Sequence, residues 1–148
     1  MEVFATAVLE EISTANADLR KALDGLDDLA LNWRPTGKET NSLYVLASHM
    51  VGVQRNMISL ALRVTIQRDR AEEFRASGPS VAVLVDALAN AEAEISRWLE
   101  QITPAMLGDK RTFLNGEITV ASCLARAARH LGEHSGHAGL TRQLLDQR

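Results

Sequence analysis

The sequence predicts an all-α protein, a four-helix bundle with long connections. Four segments carry apolar residues at helical spacing, strand signals are confined to one short stretch, and only 4% of the residues are aromatic. Amphipathic helices must bury their apolar stripes against one another, and a bundle is the simplest arrangement that achieves this for four of them. A chain of 148 residues suits one core, so we expect a single domain spanning residues 1–148.

The four helices are predicted in chain order with their caps. The first runs from about Val3 to Leu23, the second from Asn41 to Val64, the third from Ser80 to Gln101, and the fourth from near Thr119 almost to the end. Thr40 or Asn41 is a plausible N-cap of the second helix, and Thr119 of the fourth. The links are roughly 15 residues long against the usual 2–8, so crossover connections between parallel helices are possible. In the last link, Arg111–Ile118 contains Asn115-Gly116 and could form a short hairpin.

Composition and charge narrow the possible functions. The net charge of -3 argues against a general nucleic-acid binder, which needs a basic surface. The N-terminus lacks the basic start and apolar stretch of a signal peptide, and no apolar run approaches the ~18 residues that span a bilayer. Cys123 is the only cysteine, so no intrachain disulfide can form. We therefore expect a cytoplasmic protein with neither nucleic acid nor membrane as a partner.

Three of the four histidines lie close together on the fourth predicted helix, within His130–His137. A step of four residues turns a helix by about 400°, so His134 lies one turn above His130 and on nearly the same face. A step of seven residues returns His137 to almost the same azimuth. The stripe lies close to the apolar side of the helix, so the spacing predicts an inward-facing pair of imidazoles suited to chelating a metal.

The remaining histidine, His49, lies in the middle of the second predicted helix among apolar neighbours. A single histidine there is more often a core residue, but the chelating pair changes this interpretation. Bundles build metal sites from facing helices, and two ligands from one helix with one from another complete a triad. His49, His130 and His134 are therefore the predicted ligands. His137 could be a fourth ligand, a group that supports a ligand, or a polar contact.

A competing motif overlaps the same residues. The segment from His130 to His134 matches HxxEH, the inverted zinc-peptidase pattern in which Glu133 would be the general base. Such enzymes take another ligand from well downstream, whereas only 14 residues follow His134. We therefore expect Glu133 to face Arg129 or solvent, or to support a histidine ligand.

Four stretches match one known family in the same order along nearly the whole chain. They are Leu31–Pro35, Asn41–His49, Arg68–Phe74, and Gly116–Val120 followed by His130, His134 and the Ser135–His137 ending. In this combination the chain resembles the DinB/YfiT-like family of bundle metalloproteins. The resemblance implies a four-helix bundle, often dimeric, whose metal is held by one histidine of the second helix and two of the fourth. Those positions match His49, His130 and His134, whereas many relatives carry glutamine in place of His137.

The resemblance also implies a class of reaction, because members with known activity include transferases that use thiols such as mycothiol or bacillithiol. Three neutral imidazoles leave the charge of a divalent metal uncompensated and positions open, so the metal can favour a thiolate or lower the pKa of bound water to about 7. We predict Zn²⁺ or Ni²⁺ as the cofactor and a metal-dependent enzyme acting with a low-molecular-weight thiol. The alternatives are a non-catalytic metal-binding stress-response protein and a metal-dependent hydrolase. A structural staple is disfavoured because it usually has four protein ligands, and Cys123 lies about 10 Å along the helix from His130.

Two surface features complete the predictions. Arginines and acidic residues alternate between residues 63 and 75, which is typical of a solvated charged face; the alternative is a small anion-binding patch. The third predicted helix is apolar over more than one face, and together with the family resemblance this predicts a homodimer. The arginines of the charged stretch are Arg63, Arg68, Arg70 and Arg75. The apolar residues of the third helix are Val81, Val83, Leu84, Val85 and Leu88.

Overall fold

The computed structural model describes residues 1–148 and confirms the all-α bundle. Its four long helices are α1 (Val3–Leu23), α3 (Leu43–Leu62), α5 (Val81–Leu99) and α6 (Val120–Asp146). Two short helices, α2 (Asp28–Asn32) and α4 (Arg70–Arg75), lie in the links, and a 3₁₀ turn spans Pro104–Met106. One continuous core of 27 buried apolar residues joins the long helices. None of the helices combines the length and the apolar character needed to cross a membrane.

Each α-helix begins at a side chain that accepts a hydrogen bond from a backbone amide of the first turn. The predicted cap Thr119 is confirmed, since its side chain accepts from the Ser122 amide. The predicted cap of α3 was wrong: Ser42 caps this helix by accepting from the Val45 amide at 3.2 Å. The hydroxyl of Thr40 is used instead within the preceding loop, where it donates to the Pro35 carbonyl.

Two consecutive long helices run parallel, as the long link between them allowed. Tyr44 lies against Gly78 just before α5, and further along both helices Arg55 donates to Glu94, so α3 and α5 run in the same direction. Helix α6 packs between α1 and α3. Leu46 lies near His137, whereas Met57 lies near Arg126, so α6 runs antiparallel to α3. The middle of α3 therefore faces the middle of α6.

The predicted hairpin is confirmed between α5 and α6. Strands β1 (Lys110–Phe113) and β2 (Gly116–Thr119) pair antiparallel, with Phe113 opposite Gly116. The Arg111 guanidinium, although charged, is buried and donates through Nε to the Ala61 carbonyl at 2.7 Å. This bond caps the C-terminal end of α3, where a cation also meets the negative end of the helix dipole. The hairpin is thereby fixed beside the face that α3 shares with α6.

Candidate metal centre

Three histidine side chains meet where α3 faces α6. The Nε2 atom of His130 lies 3.4 Å from Nε2 of His49 and 3.1 Å from Nε2 of His134. The ligand nitrogens of all three lie within 4.8 Å of one another. The structure thus brings together the three residues that the sequence predicts as ligands, His49, His130 and His134, and we call them the histidine cluster.

The ring of His49 is held in one orientation by a carboxylate. Its Nδ1–H donates to Oε2 of Glu73 at 2.8 Å, so the hydrogen is on Nδ1 and Nε2 presents a lone pair to His130 and His134. The side chain is buried, and the Phe74 ring packs beside it at 4.7 Å between centroids. A carboxylate bonded to the outer nitrogen of a ligating histidine is a recurring feature of metal sites, because it fixes the tautomer and the ring orientation.

The Glu73 carboxylate is itself held from two sides. Arg68 donates to it twice, from Nε at 2.6 Å and from Nη2 at 2.8 Å. On the other side, Gly52 leaves room for the Glu73 carboxylate because it has no side chain. A Cβ at this position would lie 1.8 Å from Oε1 of Glu73. Only 15% of the Arg68 side chain and 11% of the Glu73 side chain are exposed. The prediction of a solvated charged face is therefore wrong for this pair.

The two α6 histidines have different surroundings. Nδ1 of His130 lies 3.5 Å from Oε2 of Glu133, whose other oxygen accepts from Arg129 at 2.6 Å. Of the alternatives predicted for Glu133, the contact with Arg129 is confirmed, and the carboxylate also lies beside a histidine of the cluster. The Nδ1 atom of His134 is buried and has no hydrogen-bond partner in the protein.

The pKa values of all three imidazoles are lowered, so the rings are neutral near pH 7. Burial lowers the pKa of His49, although the hydrogen bond that His49 donates to Glu73 acts to raise it, and burial also lowers the pKa of His130. For His134, burial and the neighbouring His49 and His130 lower the pKa to about 4. Neutral imidazoles keep the lone pairs that a metal requires.

His137 lies at the edge of the cluster. Its ring centroid is 5.6 Å from that of His134, and it lines a separate cleft of about 210 Å³ with Leu46, Leu140 and the loop before α3. The set of converging ligand nitrogens contains His49, His130 and His134, without His137. Cys123 is buried one turn before Ala127 and belongs to the apolar core.

The donor set fits a divalent transition metal. Two nitrogens bound at about 2.0–2.1 Å to one tetrahedral ion lie about 3.3 Å apart, close to two of the three separations in the cluster, 3.4 Å and 3.1 Å; the third pair, His49 and His134, lies within 4.8 Å. A cation at this point would accept all three lone pairs, whereas a hydrogen bond between two imidazoles would engage only two of the three nitrogens. Imidazole ligands suit zinc, nickel, copper and iron, and no carboxylate joins the set as magnesium or calcium would favour.

Sequence reasoning did not identify Glu73, Arg68 or Gly52 as parts of the site. A charged stretch outside a long helix resembles a solvent-exposed face, and a glycine inside a helix carries no sign of what approaches it. The spacing of Arg68 and Glu73 within the resembling segment Arg68–Phe74 was the only signal available.

Comparison with known proteins agrees with the fold. The chain has the same fold as a conserved protein from Enterococcus faecalis (TM-score 0.83, 19% identity, 100% of this chain and 99% of that chain). It also matches DinB-like proteins from Bacillus subtilis (YjoA; TM-score 0.73, 13% identity, 95% and 92%) and from Bacillus cereus (TM-score 0.73, 16% identity, 93% and 89%). No curated protein matches the sequence. The family model of the DinB superfamily matches residues 11–138, and the chain therefore belongs to the DinB superfamily.

Proposed function

We propose that this protein binds one Zn²⁺ or Ni²⁺ through His49, His130 and His134 and acts as a metal-dependent enzyme with a low-molecular-weight thiol, in an S-transferase type of reaction. The observation that carries the metal site is the convergence of three imidazole nitrogens on one point. The thiol is proposed from the family resemblance, and a cytoplasmic location belongs to the same proposal because low-molecular-weight thiols are kept reduced there.

The protein's contribution to this chemistry is a preorganised set of neutral ligands. A divalent metal held by them would favour the ionised form of a bound thiol. Glu73 holds the His49 ring with Nε2 toward the cluster, and Arg68 holds Glu73. With three protein ligands, positions remain for a thiol, as in catalytic rather than closed structural sites.

Hydrolysis is the second candidate, since the same ligands could activate water. It also needs a positioned general base. Glu133 is bonded to Arg129 and lies on the Nδ1 side of His130, and Glu73 lies on the Nδ1 side of His49, so neither carboxylate faces the Nε2 atoms. A metal-bound thiol could ionise without such a base, and so could a metal-bound water whose pKa falls to about 7, so thiol transfer is preferred on the family resemblance. A non-catalytic metal-binding stress-response protein keeps the same ligands and differs only in turnover.

Elemental analysis of protein purified without a metal-affinity tag tests the metal. We expect one equivalent of zinc or nickel in the parent protein and almost none in His130→Ala. The cobalt-substituted protein then tests the thiol: mycothiol or bacillithiol should produce an intense sulfur-to-cobalt absorption band, and the matched thioethers should not. A parent protein without metal would overturn the site, whereas a metal-loaded protein whose cobalt spectrum ignores thiols would overturn the thiol chemistry alone.

A further inference from the structure

A cleft of about 300 Å³ opens beside His130. Its walls come from α3, α6, the β-hairpin and the segment that leads into α4. Four of its ten lining residues are arginines, namely Arg68, Arg70, Arg126 and Arg129, and none is acidic. We call it the basic cleft. It matters because His130, one of its lining residues, also belongs to the histidine cluster.

Two of the four guanidinium groups have no acidic partner. Arg68 is bonded to Glu73 and Arg129 to Glu133, so their charges are partly neutralised. Arg70 and Arg126 form no ion pair, and each lies over an aromatic ring instead: Arg70 over Phe74 at 4.7 Å and Arg126 over Phe113 at 5.2 Å. A guanidinium stacked on a ring keeps its N–H groups free at the edge. The cleft therefore presents uncompensated positive charge on a protein whose net charge is -3.

The rest of the lining is largely apolar and includes Val53, Met57, Phe113 and Leu114. Leu114 is 82% exposed and has a φ of 52° at the hairpin turn. Glycine or asparagine is favoured in this left-handed region, and a leucine there is sterically unfavourable. The two-residue turn between Phe113 and Gly116 requires a positive φ at its first position, which Leu114 occupies. Its exposed side chain at the cleft mouth is available to cover the apolar part of a ligand.

We propose that the basic cleft binds a small organic anion. Its carboxylate or phosphate group is bound by Arg70 and Arg126, and its apolar part lies along Met57, Phe113 and Leu114. The planar fork of arginine matches both anionic groups, and guanidinium–anion hydrogen bonds are among the stronger polar contacts. Because His130 lines the cleft, a molecule bound there lies beside one member of the histidine cluster. The identification of this anion as the substrate rests on the proposed metal-dependent function; its binding to the arginines does not.

Benzoate and phenyl phosphate are suitable probes, with benzamide as the neutral control of the same shape. Binding is measured by titration calorimetry and by ¹H–¹⁵N chemical-shift changes, with both metal-free and zinc-loaded protein at low ionic strength. We expect at least one of the two anions to bind the metal-free protein and to shift the amides of Leu114 and Arg126. Benzamide should bind at least about tenfold more weakly because it cannot form the charge-assisted bonds.

Substitutions separate the arginines from the metal. We expect Arg126→Gln and Arg70→Gln each to weaken anion binding about threefold to tenfold, and the double variant about tenfold or more. Arg97→Gln is the matched control, because it removes the same charge from α5, which contributes no residue to the cleft. The control should bind as the parent does. Circular dichroism spectra identical to the parent's establish that these exposed substitutions leave the fold intact.

Three results would overturn the proposal: equal binding of benzamide and the anions, unchanged affinity in the double arginine variant, or binding that requires zinc and ignores both arginines. The last would mean that the metal alone takes the anion. Failure of the metal site gives a different pattern, since a protein that holds no metal but binds benzoate through Arg70 and Arg126 retains the basic cleft and loses the proposed enzyme.

Discussion

The Nδ1 atom of His49 lies 2.8 Å from Oε2 of Glu73, which belongs to a different helix. This contact joins α4, a helix of six residues, to the middle of α3. Arg68 donates to the same carboxylate. The segment that connects α3 to α5 therefore also orients His49, a predicted metal ligand. We infer that the link between α3 and α5 is part of the site.

Replacing Glu73 by glutamine should weaken metal binding by about 10–100-fold, the usual effect of losing a carboxylate that supports a histidine ligand. Glutamine has nearly the same shape but no charge to fix the Nδ1–H tautomer. The measurement is competition for Zn²⁺ against a chelator. Glu72→Gln is the control, since Glu72 is exposed and pairs with Arg75 outside the site. Equal affinities in the two variants would show that Glu73 does not position His49.

Gly52→Ala should disturb the same contact from the other side. Inside a helix, alanine is normally better than glycine by about 0.5–1 kcal/mol, so a free position would gain stability. At Gly52 the new Cβ would collide with Glu73, which must move away from His49. We expect weaker zinc binding and no gain in the free energy of unfolding.

Gly139→Ala provides the comparison for Gly52→Ala. It also lies within a long helix, but nothing lies within 4 Å of a Cβ added there. Urea unfolding should show this variant to be about 0.5–1 kcal/mol more stable than the parent, with unchanged zinc affinity. If Gly52→Ala behaves in the same way, the close approach of Glu73 does not constrain the site.

The long helices could be predicted from the sequence because each buries a continuous apolar stripe. The first was predicted from Val3 to Leu23 and is found with those bounds, and the others agree within two residues at their starts. The short helices α2 and α4 escaped prediction, since five or six residues are too few to display a helical period.

The histidine cluster was predictable for the same reason as the helices, because its spacing is periodic. His130 and His134 share a face within one helix, and His49 follows once a partner on a facing helix is required. The contacts of Glu73 and of the basic cleft depend on how loops fold over the bundle. Such contacts leave no periodic signal, so the structure was needed to find them.

The stability of the metal-free protein should depend on pH through the cluster. In the unfolded chain a histidine titrates near pH 6.5. In the folded protein burial lowers the pKa of all three histidines, that of His134 to about 4. The unfolded state therefore binds more protons in this interval. The stabilising contribution is complete above about pH 6.5 and is lost as the pH falls toward about 4.

Urea unfolding of the metal-free protein at about pH 7.5, 6 and 5 checks this dependence. The midpoint should fall with pH in the parent and fall less steeply in His134→Gln, which removes the histidine whose pKa is lowered to about 4. Zinc affinity should change little while the pH stays above the lowered pKa values of the folded histidines and should decrease as the pH falls through them, because protons then compete for the ligands. If the unfolding midpoint of His134→Gln depends on pH as steeply as that of the parent, His134 does not contribute to the pH dependence.

The homodimer remains a prediction from the family resemblance and from the apolar character of α5. In the monomer Leu84 and Leu88 are buried, whereas Val83 on the same helix is 57% exposed. Sedimentation velocity at micromolar concentration should give the mass of two chains. If α5 forms the interface, Val83→Lys should shift the equilibrium toward the monomer, and Leu29→Lys, also at an exposed apolar residue, should not. A monomeric parent would remove the prediction.

The ligand set itself makes the most demanding prediction. Replacing His49, His130 or His134 by alanine removes one of three protein ligands, and each variant should lose most of its zinc affinity. His137→Ala should bind as the parent does, or nearly so, because this histidine lies outside the converging nitrogens and lines a separate cleft. The His137 variant is a matched control on the same helix, one turn beyond His134. If His137→Ala loses as much zinc affinity as His134→Ala, the metal has four histidine ligands and fewer open positions, which favours a structural site. If His49→Ala and His130→Ala both retain the parent affinity, the histidines pack together without binding a metal, and the proposed enzyme is wrong.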